Sequence, residues 1–208
     1  MDVTNKGLIA WFVEGFHNFF DILVANVLWA LLTIPLITAP PAAAGLYYTT
    51  NQLAHDRPVT WRTFFEGFRL YFWVSWRWAL LNLLVLAILF SNLVFYTEQE
   101  GDIFFWVRAI FIAMVIIWLL IQTYTFPLLI EQTEQRTFLA LRNSVGLFAF
   151  DPKYALGVAI SILLLAYLAT IFVWPSWLLF TAGLGAYLAN RTAGYIVREV
   201  LASQSKDA

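Results

Sequence analysis

The chain has 208 residues, of which 62% are hydrophobic, 18% aromatic and 12% charged, with a mean hydropathy of +0.75. Soluble domains carry about 25% charged residues, so this composition points to a single-domain integral membrane protein. The net charge of −1 excludes a broad basic field for nucleic acid, and the absence of Cys excludes disulfides, thiol catalysis and thiolate metal sites.

The start of the chain does not read as a signal peptide. Lys6 is the only early basic residue, Asp2, Glu14 and Asp21 interrupt the segment, and no small-residue cleavage site follows a short apolar core. Leu8, Trp11, Phe12, Gly15 and Phe16 recur at helical spacing and predict a short interfacial helix over 7–18.

A bilayer-spanning helix needs about 20 mostly apolar residues. The apolar runs predict five spans, at 19–38, 76–96, 103–130, 154–174 and 177–197, the last interrupted by Asn190 and Arg191. Pro35 is expected to kink the first span near its end. Pro40 and Pro41 are expected to stop it, with Pro41 opening the next helix, where a missing N–H costs nothing. The connections after spans one and three predict amphipathic helices at 42–55, 60–73 and 134–150. In the second, Thr60 is the expected N-cap. Trp61, Phe64, Phe65, Phe68 and Phe72 form one face, and Arg62, Glu66 and Arg69 lie opposite. In the third, Phe138, Leu141, Val145 and Phe148 form the apolar face, Arg142 lies among the polar residues, and Pro152 ends the helix.

Positive residues orient the spans. Arg57, Arg62, Arg69, Arg77, Arg136, Arg142, Lys153, Arg191, Arg198 and Lys206 all fall on one side of this layout, leaving Lys6 and Arg108 on the other. The N-terminus is therefore expected outside and the C-terminus in the cytoplasm. Trp76, Trp78, Tyr96, Trp106, Tyr154, Trp174 and Trp177 near span ends suit interfacial anchoring. Short matches suggest a parallel internal repeat of the kind some transport folds use. Arg62-Thr63-Phe64 pairs with Arg136-Thr137-Phe138, Arg77 to Leu80 with Lys153 to Leu156, and Pro35-Leu36 with Pro127-Leu128.

Clustered titratable groups are absent from the apolar runs, and no P-loop, GxSxG, HExxH or GxGxxG motif occurs. No catalytic, cofactor or metal residue is assigned, and the two His residues, His17 and His55, are expected on opposite sides of the membrane. Polar residues within the spans are the better leads. Asn26, Asn82, Gln122, Asn190 and Arg191 either tie helices together or line a polar cavity. Trp61, Arg62, Phe65, Phe68, Arg69 and Arg142 are the candidate contacts with the membrane surface or a partner. In the fifth span, Ala182 and Ala186, and Gly185 and Ala189, have the spacing of a close-packed seam, internal or between subunits of a homo-oligomer.

From Asn26-Val27-Leu28-Trp29, through Leu31 to Thr38, Ala39-Pro40-Pro41 and the small-residue helix Ala42 to Tyr48, to Trp61 through Arg69, the chain resembles the YesL-type family of bacterial membrane proteins, a domain of unknown function. The usual Gly before the proline is Ala39 here. The resemblance covers about a quarter of the chain well. It implies a small inner-membrane protein associated with carbohydrate-uptake systems, and supplies no catalytic residues. The expected function is a non-enzymatic accessory or interaction protein, with an ABC-type sugar importer or another membrane complex as partner. The alternatives are a small solute transporter or channel, with a cavity holding Asn26, Asn82 or Gln122, and a lipid-binding membrane protein.

Overall fold

The computed structural model describes residues 8–172 and 175–204, with side chains from Phe19 onward except Leu178. Among the described residues the chain is helical without strands. Its elements are α1 (Leu8–Thr33), α2 (Ala39–Ala54), α3 (Trp61–Leu70), α4 (Phe72–Thr97), α5 (Asp102–Glu131), α6 (Thr137–Phe150), α7 (Pro152–Phe172), a π-helical segment (Trp177–Thr181) and α8 (Ala182–Gln204). Three of these, α4, α5 and α7, are long and apolar enough to cross a membrane. They agree with the second, third and fourth expected spans to within a few residues, because long, mostly apolar runs leave the backbone no competing conformation in a bilayer. Trp174 lies outside the described residues, as do Lys6, Lys206 and the side chains on the 7–18 face.

The first expected span is revised. The helix is continuous from Leu8, so no separate interfacial segment precedes it, and it ends at Thr33, not at residue 38. Pro35 sits beyond that end, in a turn where Leu36 takes a φ of 55°, and so it terminates the helix instead of kinking it. Helix α2 begins at Ala39, ahead of both Pro40 and Pro41, with Thr38 at the N-cap.

The expectation for 42–55 is corrected most. Helix α2 is not an amphipathic surface helix but the centre of the molecule. Pro41, Ala42, Ala44, Gly45, Leu46, Thr49, Thr50, Asn51, Leu53 and Ala54 are all buried, and α1, α3, α4, α5 and α8 all pack on it. Its small residues make this approach possible: a Cβ on Gly45 would lie 2.8 Å from the Phe64 carbonyl oxygen. Partner residues advance together along α2, α5 and α8. Tyr47 meets Phe126, with ring centroids 5.1 Å apart, and one turn later Asn51 meets Glu131. Likewise Tyr47 and Thr50 meet Asn190, and His55 lies near Gly194. These three helices run in the same sense and converge at the Glu131 end, whereas the 34–38 turn lies at the opposite end of α2.

Thr60 caps α3 as expected, with extended backbone and its N–H donating to Thr63 Oγ1 at 3.1 Å. The aromatic face divides: Phe64 is fully buried, Phe65 and Phe68 are half-buried, and Trp61 is exposed. Helix α6 starts at Thr137, and its buried face is Ala140, Ser144 and Leu147. Phe138 and Val145, expected on its apolar contact face, are 75% and 51% exposed. Both faces of α6 are apolar, and the smaller side chains turn inward because they allow closer packing.

The fifth expected span is a π-helical segment followed by α8, whose Asn, Arg and Thr residues exclude it from the helices apolar enough to cross. The matched pairs of the internal repeat differ in part. Arg77 to Leu80 and Lys153 to Leu156 both lie near the starts of long apolar helices, α4 and α7. By contrast, Pro35-Leu36 lies in a turn while Pro127-Leu128 lies inside α5, and Phe64 is buried where Phe138 is exposed.

Candidate functional site: a polar seam and two basic surface depressions

At the converging end of α2, α5 and α8 lies a network of polar side chains. Helical spacing places Thr50, Asn51 and His55 within one and a half turns of α2. Asn51 Nδ2 donates to Glu131 Oε1 at 2.6 Å and to Asn190 Oδ1 at 3.3 Å. Asn190, fully buried, donates to Thr50 Oγ1 and to the carbonyls of Tyr47 and Ala186, each at 3.0 Å. His55 Nε2 is 3.4 Å from Glu131 Oε1. His55 Nδ1 lies 2.9 Å from the Asn51 carbonyl, which can only accept, so Nδ1 carries a hydrogen. A second proton, on Nε2, would turn the Glu131 contact into an ion pair. Burying so many polar groups is tolerable because each finds a partner.

Of the expected intramembrane polar residues, only Asn190 belongs to this network. Arg191 points away, exposed, with Nη1 donating to the Tyr187 hydroxyl at 2.8 Å. Asn26 ties α1 to the fifth segment: its Nδ2 donates to the Trp177 carbonyl and its Oδ1 accepts from the Gly183 N–H, both at 2.6 Å. These backbone groups flank the π-helical segment, where the regular ladder is broken. Asn82 and Gln122 join α4 to α5 through tryptophans. Trp118 Nε1 donates to Asn82 Oδ1 at 3.1 Å, and Trp78 Nε1 donates to Gln122 Oε1 at 2.9 Å. Gln122 Nε2 is buried without a partner among the described residues. Asn26, Asn82 and Gln122 thus serve separate helix contacts and share no partner.

The expected surface residues come together in two depressions. Trp61, Arg62, Phe65, Glu66, Arg69 and Leu70 line the first, along α3. Arg62 lies over the Trp61 ring, 5.4 Å from its centroid. Phe68 is half-buried and packs instead toward the core cluster of Ala25, Ala42, Leu46 and Phe64. Arg77, Leu81, Arg136, Phe138 and Arg142 line the second, between α4 and α6. Arg136 there pairs with Glu134 at 2.7 Å.

Sequence reasoning missed Asn51, His55 and Glu131. A usable signal existed in the Asn51 and His55 spacing of four, together with a lone acid closing a 30-residue apolar helix. What hid the network is that its members come from positions 80 and 139 apart.

No curated protein and no solved structure matches the chain significantly. The model of a family described as "Protein of unknown function, DUF624" matches residues 22–93, which covers the end of α1, all of α2 and α3, and most of α4. The central helix, the 34–38 turn and the first depression all lie inside this match. Residues 22–93 are thus similar to the DUF624 domain, which the YesL-type family that the chain resembles is known to carry.

Proposed function

We propose that the chain is a non-enzymatic interaction protein of the bacterial inner membrane, which docks on another membrane complex through the exposed side of α3. The observation that carries this reading is the first depression. Trp61 and Leu70 are 57% and 53% exposed there, beside Arg62 and Arg69, and Trp73 follows at 75% exposure. Exposed aromatics flanked by Arg are the composition of interface anchors. The polar seam supports the same reading, because its amides hold α2, α5 and α8 in one arrangement behind α3. The YesL-type resemblance suggests a carbohydrate importer as the complex. Polymer extraction of the natively expressed chain in its own lipid, followed by mass spectrometry, tests this. Co-isolation of importer membrane subunits is expected, and recovery of the chain alone would remove the proposal's support.

The second depression favours a lipid-binding role beside this one. Arg77, near the start of α4, and Arg142, in the middle of α6, lie next to apolar Leu81 and Phe138, an arrangement suited to an anionic headgroup and its acyl chain. Native mass spectrometry should show retained anionic phospholipid that is lost in Arg142→Ala. A conduit through Asn26, Asn82 and Gln122 finds no support in their contacts, which tie helices together.

A further inference from the structure

We propose that the 34–38 turn between α1 and α2 is seated among the acyl chains of the bilayer. The depth follows from register. Tyr47 packs on Phe126 and Asn51 bonds to Glu131, so α2 keeps step with α5. Counting back eight residues from each member of the first pair sets Ala39, the start of α2, level with Trp118. That is near the middle of the 30-residue span α5. At about 1.5 Å per residue, the 16 residues of α2 cover about 24 Å, less than the roughly 30 Å hydrocarbon core.

The turn is built for an apolar solvent. Ile34, Leu36 and Ile37 are 74%, 76% and 66% exposed. A water-facing turn with three such residues would be costly, whereas lipid accepts them. Lipid accepts no bare backbone donor, however, and here the sequence removes or satisfies nearly all of them. Pro35, Pro40 and Pro41 have no N–H. The N–H groups of Leu36 and Ala39 donate to Thr33 and Leu36 carbonyls at 3.0 and 3.1 Å, and Ile34 and Ile37 donate within the same turn. The hydroxyls of Thr33 and Thr38 fold back onto the Trp29 and Leu32 carbonyls. The three prolines thus delete donors where water cannot reach them.

The chain has no Cys, so single spin labels are unambiguous. Ile34→Cys and Ile37→Cys are made separately, so that failure of one to fold leaves the other. Ile117→Cys in mid-α5 and Arg57→Cys beyond α2 serve as references. In liposomes of phosphatidylethanolamine and phosphatidylglycerol, labels at 34 and 37 should match position 117, colliding readily with oxygen and little with a water-soluble nickel chelate. Nickel accessibility equal to that at position 57 would overturn the proposal, because it places the turn in water.

Discussion

The amide of Asn51 donates to Glu131 Oε1 at 2.6 Å, joining the end of the central helix to the end of the longest span. Glu131 also faces His55 Nε2, so a single carboxylate holds two side chains of α2. Glu131→Ala should therefore lower stability by about 1–3 kcal/mol, since it strands a buried amide and an imidazole. Glu131→Gln keeps an oxygen for Asn51 and should cost less. Denaturant unfolding in mild detergent ranks the two, and equal losses would mean that charge alone matters.

Asn26 should be less replaceable than Gln122. Asn26→Leu leaves the Trp177 carbonyl and the Gly183 N–H unpaired where the helix is already irregular, at a cost of about 1–3 kcal/mol. Gln122→Leu removes one bond to Trp78 but also an unpartnered Nε2, and the two effects offset. Thermal unfolding of both variants in the same detergent checks the ordering Asn26 over Gln122.

Close helix approach makes a further contrast. A Cβ on Gly67 would clash with Tyr48 Cβ, and one on Gly183 would sit 2.8 Å from an Ile22 methyl. Gly67→Ala should cost about 1–3 kcal/mol by overpacking. Gly146 and Gly157 have open space around the same position, so Gly146→Ala in α6 should be neutral or stabilising by up to about 1 kcal/mol. Melting temperatures moving in the same direction would contradict the packing described here.

Alkaline pH should loosen the junction of α3 and α4. The Tyr71 phenol is pushed up to about 12, first by burial and then by nearby Tyr48 and Glu131. An unfolded Tyr titrates near 10, so above that pH the unfolded chain releases a proton that the folded chain retains. Stability from this group is complete below about pH 10 and is lost as pH rises toward 12. Tyr71→Phe should flatten that part of a stability-versus-pH curve, and an unchanged slope would assign it elsewhere.

Helices α4, α5 and α7 were legible because long apolar runs have one solution in a bilayer. Thr60 was legible because an N-cap acts locally. Helix α2 was not, since Ala42, Ala44, Thr49, Thr50 and Asn51 lower its hydropathy and make it resemble a surface segment. Burial by neighbouring helices leaves no periodic trace when every side is covered. Helix α6 misled for the opposite reason: Phe138 and Val145 form a good apolar stripe, but lipid and protein compete for it on equal terms. The surface residues Trp61, Arg62, Phe65, Arg69 and Arg142 could be found because each lies within one amphipathic segment, whereas the seam needed three distant segments at once.

The proposed docking face is tested most directly by site-specific photocrosslinking in intact cells. A photoreactive residue at position 61 or 70 on α3 should capture one and the same membrane protein. The same probe at Leu164, 53% exposed on α7, should capture lipid alone. If positions 61 and 70 also give only lipid adducts, α3 rests on the bilayer and the interaction role is wrong.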